Sequence, residues 1–170
     1  MTACATAVET PTPSETIDAF YAFQTDATAR FDTRARRHLG LSVELDPTTL
    51  AEGRFTRLGP KYDNVFYFGI ATLLRAKPTV YTVDLSLSIN TSLVCITRND
   101  LHAQESYSPS TPTIIHMFDD KGNWRSGAEY PPDELVVAKA SGPARIRLEA
   151  FEGGCLSKLG GIVLIHRLEN

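Results

Sequence analysis

The sequence is poor in the residues that cross-link a chain or anchor it in a membrane. It has three cysteines, one tryptophan and two methionines among 170 residues. Because Cys4, Cys95 and Cys155 are odd in number and far apart, they match neither a disulfide framework nor a metal-binding pattern, and we expect reduced thiols. The longest apolar run near the C-terminus, 162–165, is far shorter than the roughly 18 residues that a transmembrane helix needs. The first residues also lack the features of a signal peptide, so we expect a cytoplasmic protein with no membrane partner.

An excess of charge of either sign is missing as well. The 17 Lys and Arg residues are set against 20 Asp and Glu residues, which gives a net charge of −3. Domains that bind nucleic acids carry a strongly basic balance, so no nucleic-acid partner is expected. Disordered proteins combine low hydrophobicity with high net charge. With 42% hydrophobic residues and a net charge of −3, the chain has neither property. At this length a single domain is the default, and we predict a flexible arm over 1–12 followed by one α+β domain over 13–170.

Motifs that bind cofactors are absent too. The chain has no P-loop, no dinucleotide-binding fingerprint, no H-E-x-x-H and no C-x-x-C sequence. His102 and Glu105 lie three residues apart, so they would point to opposite faces of a strand. We therefore predict no cofactor and no metal site, and we interpret Cys95 as a buried thiol rather than a nucleophile.

The first structured segment is predicted to be a long helix over 13–39. A capping box at 12–15 marks its start, and Gly40 suits its end. Gln24 and Thr28 weaken the apolar face in the middle, so a break near 25–28 is an alternative. The apolar positions with helical spacing are Ile17, Phe20, Tyr21, Ala27, Phe31, Ala35 and Leu39.

Beyond residue 53 the apolar period changes from about 3.6 to 2, which is the period of a strand. The strict alternation over 79–89 indicates a sheet with one buried and one wet face. Turn residues at 119–123 and 141–143, with strands about ten residues apart, favour an antiparallel meander of seven to nine strands that is closed or strongly curved. A one-turn helix is predicted over 46–53, and further strands over 93–96, 101–107, 112–118, 124–130, 134–140, 144–151 and 161–168.

Segment 61–77 decides between two architectures, because its apolar run fits a buried strand or a buried helix equally well. As a strand it completes a barrel-like sheet or a β-sandwich behind the N-terminal helix. As a helix it gives an element order that resembles the cone-shaped fold of the nuclear transport factor 2 superfamily over roughly residues 14–130. The fold prediction is therefore a long helix packed on a barrel-like or cone-like sheet, with a β-sandwich as the alternative.

Two histidines are the best candidates for chemistry. His116 and His166 each alternate with apolar residues, so a strand places each imidazole on an apolar face. Val163 and Ile165 make the other face of the last strand equally apolar, which leaves the direction of His166 open. In the catalytic interpretation His116 is a general acid/base, His166 assists it and Tyr67 orients the substrate. In the structural interpretation each histidine is a core residue bonded to a backbone carbonyl.

The same pattern predicts where a substrate would bind. A closed sheet of eight or more strands leaves room for one small ligand, and the apolar side of 79–89 would line that cavity. The favoured function is a small-molecule-handling domain for an apolar ligand, either a cofactor-free isomerase, cyclase or lyase or a carrier. The predicted lining consists of Tyr21, Tyr81, Val83, Leu85, Leu87, Phe118 and Trp124.

A non-enzymatic β-sandwich binding module is the main alternative. In it, Trp124 and the loop over 107–112 recognise a glycan or a protein. Such a module needs a solid core with aromatic groups exposed on loops, whereas an enzyme or carrier needs an enclosed cavity with a histidine at its wall. A subunit-interface protein, in which the helix over 13–39 exposes its aromatic stripe, is the third alternative, and a homodimer is among the expected assemblies.

Overall fold

A computed structural model describes residues 10–27, 30–44, 52–57, 65–77, 79–102 and 107–166. Most of the predicted flexible arm and of the predicted one-turn helix over 46–53 lies outside the described residues. Residues 52 and 53 of that segment belong to a strand, so the helix does not extend to them.

The N-terminal helix begins where the sequence predicts but ends early. Helix α1 spans Pro13–Thr25, and its capping box is formed, because Thr12 Oγ1 accepts a hydrogen bond from the Glu15 N–H at 3.1 Å. The backbone turns extended at Asp26. A continuous helix over 13–39 is therefore wrong, and the alternative of a break after the interruption at Gln24 is the one that the chain adopts.

A second helical segment follows the break. Helix α2 spans Phe31–Arg34 and continues directly into a π-helical turn over Ala35–Leu39. Gly40 ends this turn with a left-handed φ of 64°, as the sequence predicts. A short helix, α3, spans Arg98–His102, so the first two residues of the segment 101–107, which the sequence predicts to be a strand, are helical.

The rest of the chain is mostly antiparallel sheet. The sheet has eight strands in the order β1-β2-β3-β4-β10-β9-β8-β5, and a separate hairpin pairs β6 with β7. Because β1 and β5 lie at opposite edges, the sheet is not a closed barrel. Within the described ranges the two-stranded hairpin is the only other sheet, so the β-sandwich alternative is wrong as well. The strands are β1 Leu41–Glu44, β2 Glu52–Arg57, β3 Phe66–Ala76, β4 Val80–Ile89, β5 Tyr107–Ser108, β6 Thr113–Phe118, β7 Trp124–Glu129, β8 Asp133–Lys139, β9 Gly142–Glu152 and β10 Cys155–His166.

The ambiguous segment 61–77 contains a strand, since β3 pairs with β2 and β4. The helical alternative, and with it the resemblance to the nuclear transport factor 2 superfamily, is therefore wrong. The segment 93–96 is a loop rather than a strand, and β10 begins six residues before the predicted 161.

The expected cavity wall is part of the hydrophobic core. On the sheet face that we call inner, Tyr81, Val83, Leu85 and Leu87 are buried in one cluster with Phe20 and other apolar residues of α1. Tyr21 is buried too, and its hydroxyl donates a hydrogen bond to the Gly142 carbonyl at 2.6 Å. These side chains pack against one another, and the surface concavities described below do not include them.

A disulfide joins Cys95, in the loop after β4, to Cys155 at the start of β10. Next to it, the Leu156 N–H donates a hydrogen bond to the Ile96 carbonyl at 2.8 Å. The expectation of reduced thiols is wrong for this pair, and Cys95 is exposed rather than a buried thiol. The fold brings together two cysteines that are 60 residues apart, which their spacing in the sequence does not reveal.

The helices of the described ranges are short. None of them combines the length and the apolar character that crossing a lipid bilayer requires.

Candidate functional site

The hairpin β6–β7 is the outer part of a longer two-stranded ribbon. Ser108 pairs with Glu134 at the edge of the main sheet, and the pairing of Thr113 with Glu129 resumes further out in the same register. Proline cannot donate to a ladder, which explains the interruption between the two parts. The interrupting prolines are Pro109, Pro112, Pro131 and Pro132. The strands β5 and β8 thus form the base of the ribbon, and residues 113–130 form its projecting part, which we call the arm.

The arm exposes large apolar side chains on an ordered element. Soluble monomers rarely expose contiguous apolar patches beyond a few hundred Å², and a lone two-stranded hairpin is only marginally stable in water. A surface of this kind is therefore typical of a docking site. The side chains that are between 61% and 68% exposed are Ile114, Met117, Phe118, Trp124 and Tyr130.

Three of the predicted site residues meet on the arm. The Phe118 and Trp124 rings are 4.3 Å apart between centroids, and the His116 ring contacts Trp124 edge-on at 5.7 Å. The three share one face, since Phe118 pairs with Trp124 across the turn and His116 lies two residues before Phe118. The expectation that His116 and Phe118 point into the body of the protein is wrong, because both are exposed. The alternation of the sequence correctly places these residues on one strand face, but it does not indicate whether that face is buried or exposed.

A buried carboxylate holds the base of the arm. Asp133, which is 3% exposed, accepts hydrogen bonds from the Tyr107 hydroxyl at 2.5 Å and from the Ser110 N–H at 2.7 Å. It also bonds Arg98 of α3, whose guanidinium lies over the Phe151 ring at 4.1 Å. Both sides of the ribbon base are thereby fixed to the main sheet and to α3. This cluster is not evident from the sequence, because its members are distant along the chain and match no motif.

The electrostatics of this cluster favour an ionised Asp133. Burial by itself raises the pKa of Asp133, but the hydrogen bonds from Tyr107 and Ser110 and the charge of Arg98 outweigh burial, so the pKa is lowered. Burial and the hydrogen bond to Asp133 raise the pKa of Tyr107. The phenol therefore stays protonated and donates to the carboxylate.

A second polar cluster lies on the outer face of the sheet. Ser86 donates a hydrogen bond to Glu149 at 2.6 Å, and the Arg147 guanidinium bonds Asp84 and Glu149. These side chains of β4 and β9 meet across β10 because position 160 is a glycine: a Cβ there would lie 2.4 Å from Glu149 Oε1 and 2.3 Å from the Leu85 carbonyl oxygen. The cluster is only partly exposed, and its two carboxylates share a single guanidinium, so its formal charges sum to −1.

The three predicted catalytic residues lie on separate surfaces. Tyr67 is exposed on β3 beside a concavity formed with Asn90 and Lys158. His166 is exposed at the end of β10, where it lines a different cleft, and His116 is on the arm. The strand face that carries His166 is the outer one, because it alternates with the exposed Ile162 and Leu164, whereas Val163 between them is buried. Tyr67 and His166 thus line different concavities, and neither of these two concavities includes His116.

The arm is therefore the candidate functional site, and its chemistry is that of a binding surface. Among the residues described, no group of three or more His, Cys, Asp or Glu side chains is placed to hold a metal ion. No protein-family model, no curated protein and no solved structure matches this chain, so its function has to be inferred from the geometry of its own residues.

Proposed function

We propose that this chain is a non-catalytic protein-interaction module that binds its partner through the arm. The proposal is supported above all by the five large apolar side chains that the ordered arm exposes. The clamp around Asp133 supports it further, because a fixed arm loses little conformational entropy on binding. The buried core behind Val83 and Leu85 favours this function over the enclosed cavity that a small-molecule enzyme or carrier needs.

The composition of the arm favours a protein partner. Ile114 and Met117 add aliphatic surface beside the aromatic pair, and the two sit on opposite faces of the hairpin. A sugar-binding platform needs only an aromatic face with polar groups around it. The turn at the tip carries Asp119 and Asp120, and carboxylates at that point oppose insertion into a lipid bilayer.

The partner that we propose is a second copy of the chain. The outer face of β3 exposes four large apolar side chains, between 36% and 55% exposed, which we call the β3 patch: Tyr67, Phe68, Ile70 and Leu74. The base of the arm is the β8–β5 edge of the main sheet, whereas β3 is the third strand from the opposite edge. In the proposed pair the arm of one copy covers the β3 patch of the other. A two-fold pair makes this contact twice, and both apolar surfaces are then covered.

The available area suffices for such a pair. Full burial of a large aromatic side chain removes about 150–250 Å² from water. At the exposures above, the arm face that carries Ile114, Phe118, Trp124 and Tyr130 offers on the order of 400–550 Å² and one β3 patch about 350 Å². Two contacts then bury roughly 1,500–1,800 Å², within the roughly 1,200–2,000 Å² of a standard specific interface.

The disulfide is informative about the cellular compartment in which the module functions. Disulfides persist in oxidising compartments and are rare in the cytosol. The bond between Cys95 and Cys155 therefore favours an extracytoplasmic or other oxidising environment over the cytoplasmic location expected from the sequence.

The oligomeric state tests the proposal. Sedimentation of the wild-type chain at micromolar to millimolar concentrations should show a dimer. Phe118→Ser on the arm and Leu74→Ser in the β3 patch should each weaken the dimer at least tenfold, because each loses apolar area from both contacts. Leu93→Ser, which changes an exposed leucine outside both surfaces, is the matched control and should leave the dimer unchanged.

A mixture of the two variants sharpens this test. A mixed pair regains one intact contact, formed by the arm of Leu74→Ser and the β3 patch of Phe118→Ser. The other contact carries both substitutions, and because the two side chains belong to the same contact their losses overlap rather than add. Heterodimers should therefore be more stable than either variant homodimer. A wild-type chain that stays monomeric up to millimolar concentration, or an equal effect of all three substitutions, would overturn self-association through the arm.

A further inference from the structure

The main sheet contains a fork between two neighbouring strands. Pairing of β9 with β10 stops at Arg147 opposite Gly160. Beyond this point β10 stays paired with β4 as far as His166, while β9 stays paired with β8 back to Gly142. The ends of β9 and β10 therefore separate inside the sheet, and a cleft opens between them.

A side chain of helix α1 replaces the missing ladder. Gln24 Nε2 donates hydrogen bonds to the Arg145 carbonyl on β9, at 3.0 Å, and to the Ile162 carbonyl on β10, at 3.4 Å. Gly161 makes room for this amide, because a Cβ at that position would lie 2.3 Å from Gln24 Nε2. The orientation of the amide is assigned by its two carbonyl neighbours, which leaves Oε1 as the free acceptor.

A buried arginine lies beside this amide. Arg34 is 2% exposed and donates to the carbonyls of Phe23, Gln24 and Leu164. These four bonds use four of its five N–H groups, so one N–H on Nη1 has no partner among the residues that the structure describes. Burial lowers the pKa of Arg34, and the charge of Asp26 partly opposes this effect. The carbonyls at the C-terminal end of α1 explain how the cation is accommodated.

The cleft therefore has one spare donor and one spare acceptor at its base. Gln24 Oε1 is buried and has no hydrogen-bond partner within the described structure. The cleft has a volume of about 530 Å³, and its lining includes Arg34 and Gln24, with Ile162 and Leu164 as apolar wall. Buried polar groups are normally paired, so this acceptor points to a ligand that donates a hydrogen bond.

The charges of the cleft favour an anion. The ionised side chains in its lining are three arginines, Arg34, Arg145 and Arg147, and one carboxylate, Glu134. Arg145 bonds Glu134 at 2.5 Å, but the Arg145 side chain is largely exposed, so a ligand carboxylate can compete for it at small cost. Arg147 is held by Asp84 and Glu149 and lines the cleft from the side.

We propose that the cleft binds an acylated α-amino acid with an aliphatic side chain, either free or as the C-terminal residue of a peptide. The ligand carboxylate bonds Arg145 and the spare N–H of Arg34. The ligand amide N–H donates to Gln24 Oε1, and the aliphatic side chain packs on Ile162 and Leu164. This site lies apart from the arm and the β3 patch, and binding at it does not depend on self-association.

Calorimetric or NMR titration with N-acetyl-leucine tests the proposal. N-acetyl-leucinamide lacks the carboxylate and isocaproate lacks the amide, so each should bind at least about tenfold more weakly, as expected for the loss of a charge-assisted or a buried hydrogen bond. A peptide of four alanines ending in leucine, acetylated at its N-terminus, separates the two sources. Tighter binding than that of N-acetyl-leucine indicates a peptide C-terminus, and equal or weaker binding indicates a free acyl amino acid.

Two substitutions of the surface ion pair make the test specific. Arg145→Gln should weaken binding of N-acetyl-leucine about tenfold, while Glu134→Gln should tighten it, because Arg145 then has no competing carboxylate. Arg125→Gln changes the charge of an equally exposed, carboxylate-paired arginine on the arm and should have no effect. Equal affinity for the three small probes, or equal effects of Arg145→Gln and Arg125→Gln, would overturn the proposal whatever the oligomeric state.

Discussion

Replacing both bridged cysteines with serine should lower the stability of the fold substantially. The disulfide joins residues 60 positions apart, so its removal frees a long loop in the unfolded chain. The folded state changes little, because Cys95 is exposed and Cys155 is only half-buried. Serine at these positions therefore leaves no large cavity. The substitution lowers the free energy of unfolding mainly because the unfolded chain gains conformational entropy.

The length of the loop sets the magnitude. The chain-entropy relation gives about 4 kcal/mol for a loop of this length at 25 °C. For a protein of this size, each kcal/mol corresponds to roughly 2–4 °C in Tm, so the expected decrease is about 8–16 °C. The hydrogen bond from Leu156 to Ile96 remains in the variant, but it does not cross-link the unfolded chain.

Thermal and urea unfolding of the wild type and of the Cys95→Ser/Cys155→Ser variant measure this difference. Thiol counting is the control: the unfolded but unreduced wild type has three cysteines, two of them bridged, and should therefore expose one thiol. After reduction it should expose three, and its stability should match that of the variant. Three reactive thiols before reduction, or a change in unfolding free energy below about 1 kcal/mol, would refute this reasoning.

Three further predictions concern the clamp, the outer polar cluster and the base of the fork. Asp133→Asn should cost about 2–3 kcal/mol at neutral pH in urea unfolding and speed hydrogen exchange of the Ser110 amide. Because the pKa of Asp133 is lowered, its stabilising effect should be complete above about pH 4 and lost as the pH falls through the lower folded-state pKa, a dependence that the variant should lack. Gly160→Ala should destabilise the fold by about 1–3 kcal/mol, since its Cβ meets a backbone oxygen and the side chains of two neighbours. Arg34→Lys should cost about 2 kcal/mol or more in the same assay, because a lysine cannot bond three carbonyls in the plane of a guanidinium.

Local signals in the sequence predict the individual elements well. The capping residues Thr12 and Glu15 place the start of α1, and the alternation over 79–89 predicts β4 and its buried side. The turns at 119–123 and 141–143 are also confirmed. In each case the determining interactions lie within a few residues of one another, so the sequence pattern contains them.

Long-range features are not visible in the same way. The position of the arm depends on Asp133, whose bonding partners Arg98 and Tyr107 lie on other elements. The alternation around His116 predicts a strand, but it does not show whether another element covers that strand. The arginine-rich spacing over 30–37 is typical of a solvated helix face, yet Arg34 is buried because it bonds the carbonyls of Phe23 and Gln24 at the end of α1. Such features depend on contacts between elements that are distant in the sequence, and the periodicity within one element does not contain that information.

The shared register of the arm and the sheet edge limits how the length of the arm can change. An insertion in one strand alone would misalign every residue pair beyond it. One residue added to each strand would keep the pairing, but every side chain of the tip would then point to the opposite face. Only an even addition to both strands keeps Trp124 and Phe118 on the side where they now lie. Arms of related chains should therefore differ in reach by steps of about 7 Å, two residues at a time in each strand.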